Sequence, residues 1–188
     1  AAERAEHMLV LAELHYGLRD FDQVEVVCLD ILALDMAEAR GDEPYFPKEK
    51  AYFLLGDVYS QRQELYALIS TYREALSNYP ASHYSNDMRF ALGQALFDQE
   101  DLEGADRVLS EYLQRAPEHA NRPYGLYYLG YARFNLTRFE GAAQVFETLA
   151  AEYAGGELAP DALFRAAEAR YNLDLFEEAQ AAYQRLLE

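Results

Sequence analysis

A small residue recurs every 37 positions along this chain: Gly56, Gly93, Gly130 and Ala167, each preceded by leucine or alanine. Leu68, Ala105, Ala142 and Ala179 keep the same interval, as do Pro80 and Pro117, and Gly104 and Gly141. One period in several independent columns marks stacked units, each too small to bury its own apolar face. An earlier copy fits on Leu11-Ala12, with Val24 in the second small column. It stands 44 residues before Gly56, so an insertion follows it.

Each copy reads as helix A, a tight turn, helix B and a loop. Tyr52, Leu55 and Tyr59 lie at helical spacing and predict an A helix over about Pro47 to Gln61. Leu68, Tyr72, Ala75 and Leu76 predict a B helix near Leu65 to Asn78. Short polar turns join A to B at Arg19-Asp20, Gln63-Glu64, Glu100-Asp101, Thr137-Arg138 and Asp174. A large apolar residue then seats each B helix: Phe21, Leu65, Leu102, Phe139 and Phe176. Pro44, Pro47, Pro80, Pro117, Pro123 and Pro160 all fall in loops or first turns, where a missing N–H costs nothing.

The predicted fold is all-α, a right-handed superhelical solenoid of five helical hairpins forming one array over 1–188. The copies lie near 5–35, 49–80, 86–117, 123–154 and 160–188, with an insertion at 36–48. The insertion reads as two further turns of helix B, a glycine cap at Gly41 and an extended loop. The two small columns are expected to face each other, which lets helix axes approach to roughly 8–10 Å. Glycine inside a helix costs about 1 kcal/mol relative to alanine, so its return at one register implies close packing.

Charge narrows the functions available. The chain has 33 acids against 16 bases, a net charge of −17, and such a surface repels phosphate. Sequence-independent nucleic-acid binding is excluded, and an anionic membrane surface is disfavoured. Acidity suits a basic partner or simply solubility. Hydrophobic residues are 51% of the chain, enough for a core, but no apolar run reaches the ~20 residues that span a bilayer. No secretory signal opens the sequence, and both ends fall inside helical patterns, so it reads as a segment of something longer. Cys28 stands alone in an apolar stretch and reads as a small core residue. His7, His15, His83 and His119 lack metal-ligand spacing, and His83 and His119 sit at nearly equivalent loop positions. No phosphate loop or nucleophilic triad is marked. The expectation is a protein with no catalytic residue, no cofactor and no metal.

The columns resemble the tetratricopeptide repeat: aromatic, leucine, small and aromatic on helix A, then small, aromatic and small on helix B, then proline. Tyr52, Leu55, Gly56, Tyr59, Leu68, Tyr72, Ala75 and Pro80 carry it best. The common period is about 34 residues, and the longer one here places the extra residues in the loops between hairpins. That variant resembles the repeats of bacterial envelope proteins of the BamD and YbgF kinds. Tyr79-Pro80, Tyr84-Ser85 and the run from Arg115 to Asn121 into Tyr127-Tyr128-Leu129-Gly130 resemble the first, and Ala159 to Glu188 the second. Where the pattern has Tyr59, later copies carry Arg133 and Arg170, with Phe134 and Tyr171 one place on. Both arginines are expected to snorkel and pair with nearby acids.

The resemblance implies which A-helix positions line a concave groove: Phe53 and Asp57, Phe90 and Gln94, Tyr124, Tyr127, Tyr128 and Tyr131, and Phe164, Arg165 and Glu168. Lys50, Leu54, Asp87, Ala91 and Asp161 complete the register. Phe53, Phe90, Tyr127 and Phe164 form one aromatic column, which either receives a peptide or packs between neighbouring A helices. Tyr124, Tyr128 and Tyr131 lie at i, i+4 and i+7 and are expected on one ligand-facing side. The carboxylate clamp of chaperone-binding relatives is not implied, because Leu9, Phe53 and Phe90 hold its positions. The sequence thus points to a non-catalytic scaffold for a protein or peptide partner, in a periplasmic or outer-membrane-associated assembly. A cytoplasmic setting, a docking segment of a larger enzyme and a self-assembling module that stacks through its end hairpins are the alternatives.

Overall fold

The computed structural model describes residues 2–34 and 46–185. Among the described residues ten helices run in order: α1 Ala2–Gly17, α2 Phe21–Ala33, α3 Phe46–Gln61, α4 Leu65–Asn78, α5 Ser85–Asp98, α6 Leu102–Arg115, α7 Arg122–Asn135, α8 Phe139–Glu152, α9 Ala159–Asn172 and α10 Phe176–Arg185. Odd-numbered helices are A helices and even-numbered ones B helices, and no strand occurs among the described residues. The extra turns and glycine cap expected at 35–45 lie outside the described residues. The described chain forms two compact units, Ala1–Leu92 and Gly93–Glu188.

Every A helix ends in the same way. Arg19, Gln63, Glu100, Thr137 and Asp174 all take left-handed backbone, with φ between 58° and 65°. In the first turn Arg19 N–H bonds Tyr16 O at 2.9 Å and Asp20 N–H reaches back to His15 O at 2.9 Å. The same pair of bonds closes the other four turns, satisfying carbonyls that a helix end would leave bare. In two of these turns the side chain of the residue after the left-handed one caps the next helix. Asp20 accepts from Gln23 N–H at 3.4 Å, and Asp101 from Gly104 N–H at 3.0 Å. One left-handed residue therefore reverses the chain within the three residues that separate A from B.

The hairpins pack small against large. A side-chain carbon built on Gly93 would stand 2.5 Å from Leu109, and one on Gly130 would stand 2.6 Å from the Phe146 ring. On Gly56 it would overlap the ring of Tyr72. The expectation that Gly56, Gly93 and Gly130 face Leu68, Ala105 and Ala142 is therefore corrected. The nearest opposing group is the bulky residue four places further along helix B, a knob entering the hole that glycine leaves. Tyr72, Leu109 and Phe146 are all buried. A second column links the helix ends by aromatic edges: Tyr16 to Phe21 at 5.9 Å, Phe134 to Phe139 at 5.2 Å and Tyr171 to Phe176 at 5.4 Å.

Within the first unit, Lys48 closes the end of α2 by donating to Leu32 O and Leu34 O, both at 2.8 Å. Tyr59 of α3 and Arg62 just past its end reach Glu25 of α2 at 3.0 and 2.6 Å. Burial, followed by the Glu25 bond, pushes the Tyr59 phenol up to about 12. Arginines do the equivalent work in the second unit. Arg133 bonds Asp106 at 3.0 Å, and Arg170 bonds Glu147 at 3.1 Å and Glu140 at 3.2 Å. The acid pairing expected for Arg133 and Arg170 is what the structure has.

The loop from B to the next A also has a rule. Ser82 Oγ accepts Tyr84 N–H at 3.2 Å, and His119 Nδ1 accepts Asn121 N–H at 3.3 Å. The true counterpart of His119 is thus Ser82, not His83. Tyr112 Oη also lies 2.9 Å from His119 Nδ1, which makes that histidine a loop brace.

Candidate functional site

In the first unit, α3 presents Phe53 and Asp57 at half-buried positions. Phe53 stacks on Tyr84 at 4.8 Å with planes 19° apart, and its carbonyl accepts the Tyr72 hydroxyl at 3.2 Å. Asp57 accepts a short hydrogen bond from Tyr16 of α1, which with burial pushes the Tyr16 phenol up to about 12. Lys50 pairs with Glu13 of α1. Phe90 is half-buried on α5.

In the second unit the candidate residues form a connected surface. Gln94 of α5 donates to the Tyr128 hydroxyl at 2.8 Å, and Phe97 meets the Tyr128 ring edge-on at 5.4 Å. Tyr127 lies 4.7 Å from Tyr131 and 6.0 Å from Tyr128. Tyr131 donates to Asp161 of α9 at 2.8 Å and accepts from Arg165 Nε at 2.6 Å. Arg165 is fixed by Glu168 at 2.7 Å, and its guanidinium lies 5.1 Å from the Tyr131 ring centre and 5.5 Å from that of Phe164. Phe164 is 40% exposed and Tyr124 41% exposed, the two most open aromatics of this set. Burial pushes the Tyr131 phenol well above its ordinary range, with the Tyr127 and Asp161 bonds adding to it.

Tyr124, Tyr128 and Tyr131 do not share one open side. Tyr128 turns back to α5, while Tyr131 reaches forward to α9 and Tyr124 donates to Glu157 of the following loop at 3.0 Å. Tyr128 and Tyr131 act as mortar between successive A helices. What stays open is Tyr124 and Phe164, with Tyr127 half-buried at the same register one repeat before Phe164 and Arg165 fixed beside Phe164. Sequence reasoning placed Asp161 in the groove register but missed Glu157, which stands 33 residues from its tyrosine.

Comparison with known proteins agrees with this architecture. The family model described as outer membrane lipoprotein, YfiO, matches residues 48–140. A tetratricopeptide-repeat model matches residues 161–188. The chain is a tetratricopeptide-repeat protein. Its fold is the all-α superhelix of such repeats. The crystal structure of MamA is similar over 100% of this chain and 92% of its own, with a TM-score of 0.76 and 16% identity. A second MamA structure, MSR-1, covers 97% and 94% with a TM-score of 0.69 and 15% identity. Kinesin light chain repeats of Podosopora anserina cover 98% and 93%, with a TM-score of 0.67 and 13% identity. No curated protein sequence matches the chain. No described helix is long and apolar enough to cross a membrane.

Proposed function

We propose that the five repeats work as one array, a non-catalytic scaffold that holds a protein or peptide partner on its A-helix face. The observation that carries this reading is the strip of Tyr124, Tyr127 and Phe164 in the second unit. Arg165 beside it is held by Tyr131, Asp161 and Glu168. Fixed, half-open aromatics lose little freedom when a partner covers them, which is what makes such residues interface anchors. The setting we favour is a bacterial envelope assembly, since residues 48–140 match a family described as outer membrane lipoprotein.

The double substitution Tyr127→Ala and Phe164→Ala is expected to weaken partner capture at least tenfold, roughly the loss of one interface anchor or more. The fold should survive, because neither ring is fully buried. Crosslinking from position 127 in cells should trap the partner, whereas crosslinking from Tyr66, 82% exposed on α4, should not. Equal trapping from both positions would sink the assignment.

Self-assembly is the second reading, favoured by a stripe on α1. Val10 and Leu14 are 54% and 61% exposed, yet their register equivalents Leu54 and Val58 on α3 are 7% and 0% exposed. Replacing Leu14 with glutamate is expected to change stability by less than about 0.5 kcal/mol, because the residue already faces solvent. If copies stack through this face, the same variant lowers the concentration-dependent mass measured by sedimentation. A mass independent of concentration in the parent chain excludes stacking.

A further inference from the structure

Beside the aromatic strip lies a cavity of about 170 Å³ lined by Pro123, Tyr124, Tyr153, Gly156, Glu157 and Leu158. It is several times a water's share of roughly 30 Å³, yet far too small for a helix. Its walls are two tyrosines, aliphatic carbon and one carboxylate. Tyr124 stands one turn before Tyr127 on α7, so the cavity continues the strip.

Repeat architecture does not require this pair. At the register of Tyr124 the neighbouring copies carry Asp87 and Asp161, and at that of Glu157 they carry His83 and Ala120. A carboxylate ahead of α9 gains from the helix dipole, by roughly 0.3–1 kcal/mol. That explains a negative charge, but α5 and α7 start without one there, and it does not explain the tyrosine walls.

The charge pattern is the second observation. Around the site, Glu140, Glu147, Glu152, Asp161 and Glu168 each hold an arginine. Among the described residues, Glu157 forms no ion pair. Its one described polar partner is the Tyr124 hydroxyl at 3.0 Å, a neutral donor whose proton affinity the carboxylate raises and which brings no positive charge. An exposed carboxylate that shares its lining with two tyrosines matches an organic cation, through charge-assisted hydrogen bonding and cation–π attraction together.

We propose that this cavity receives a cationic side chain, lysine or arginine, from the partner lying on the A-helix face. The inference rests on the scaffold reading above and adds the partner's chemistry: a basic residue beside apolar ones.

Amide NMR of the intact chain tests it. The probes are a ten-residue peptide alternating leucine and lysine, its leucine–arginine counterpart, and the first peptide with every lysine acetylated. The two cationic peptides should shift the amides of Gly155, Gly156 and Glu157 saturably, and the acetylated one should not. Glu157→Gln should weaken both cationic peptides by roughly three- to fivefold, the scale of a solvent-exposed ion pair. Glu177→Gln, an exposed acid on α10, should change affinity by less than twofold, roughly the noise of a distant screened charge. Equal losses in the two variants would mean diffuse attraction to an acidic chain and would overturn the proposal. So would cavity shifts of equal size with the acetylated peptide. Shifts at Tyr127 and Phe164 without any at Gly156 would overturn it too, while leaving the A-helix face standing as the partner surface.

Discussion

Replacing Gly130 with leucine should destabilise the second unit by about 3 kcal/mol or more, the upper range of overpacking. The position has no room: a carbon there would lie 2.6 Å from the Phe146 ring, which is 0% exposed and cannot swing into water. Phe146 meets Tyr131 edge-on at 5.3 Å, so displacing it also disturbs the bonds from Tyr131 to Asp161 and Arg165. In thermal unfolding followed by circular dichroism, the midpoint should fall by roughly 6–12 °C for a chain of this size. Gly130→Ala places that same carbon, so it too should destabilise, though by less than leucine. Ala167 fills the same register in the last hairpin, and alanine recovers up to ~1 kcal/mol of helix propensity. A leucine variant that melts within about 2 °C of the parent would show that glycine is not there for packing.

Asp106 is the second sensitive point. Its carboxylate is 14% exposed and accepts from Arg133 at 3.0 Å, Arg138 at 2.6 Å and Ser110 at 3.2 Å. Burial alone would raise its proton affinity, but the two guanidinium groups outweigh that and hold the carboxyl below its ordinary value of 3.8. Because the folded value is depressed, the stabilisation is complete above that ordinary value and is lost as pH falls through the folded one. Asp106→Asn should therefore cost about 2 kcal/mol near neutral pH, between the scales of exposed and buried pairs. The gap between parent and variant should narrow as acidification passes the ordinary carboxylate value and close below the lower folded one. Urea titrations at several pH values would measure it, and a gap that persists undiminished into strong acid would show that the carboxylate's charge is not what stabilises.

Much of this fold was readable before any coordinates. The 37-residue columns placed α4 at Leu65–Asn78 and seated each B helix on its aromatic or leucine. Register alone, however, says that a residue is small, not what enters the space beside it. The opposing knobs Tyr72, Leu109 and Phe146 belong to a different column from the one expected. The tyrosine cluster misled for a related reason. Spacing at i, i+4 and i+7 fixes a side of one helix, but an A helix in a stack has neighbours before and behind. Tyr128 and Tyr131 serve one each. The left-handed turn residues were hidden because none of them is glycine.

That last feature has a bearing on evolvability. An ordinary side chain held in left-handed backbone costs about 1 kcal/mol that glycine would not incur. Arg19, Gln63, Glu100, Thr137 and Asp174 each bear that cost alone, and single codon changes at these corners would make the molecule hardier to heat. A lineage carrying five such corners can harden its backbone while residues elsewhere drift toward new partners.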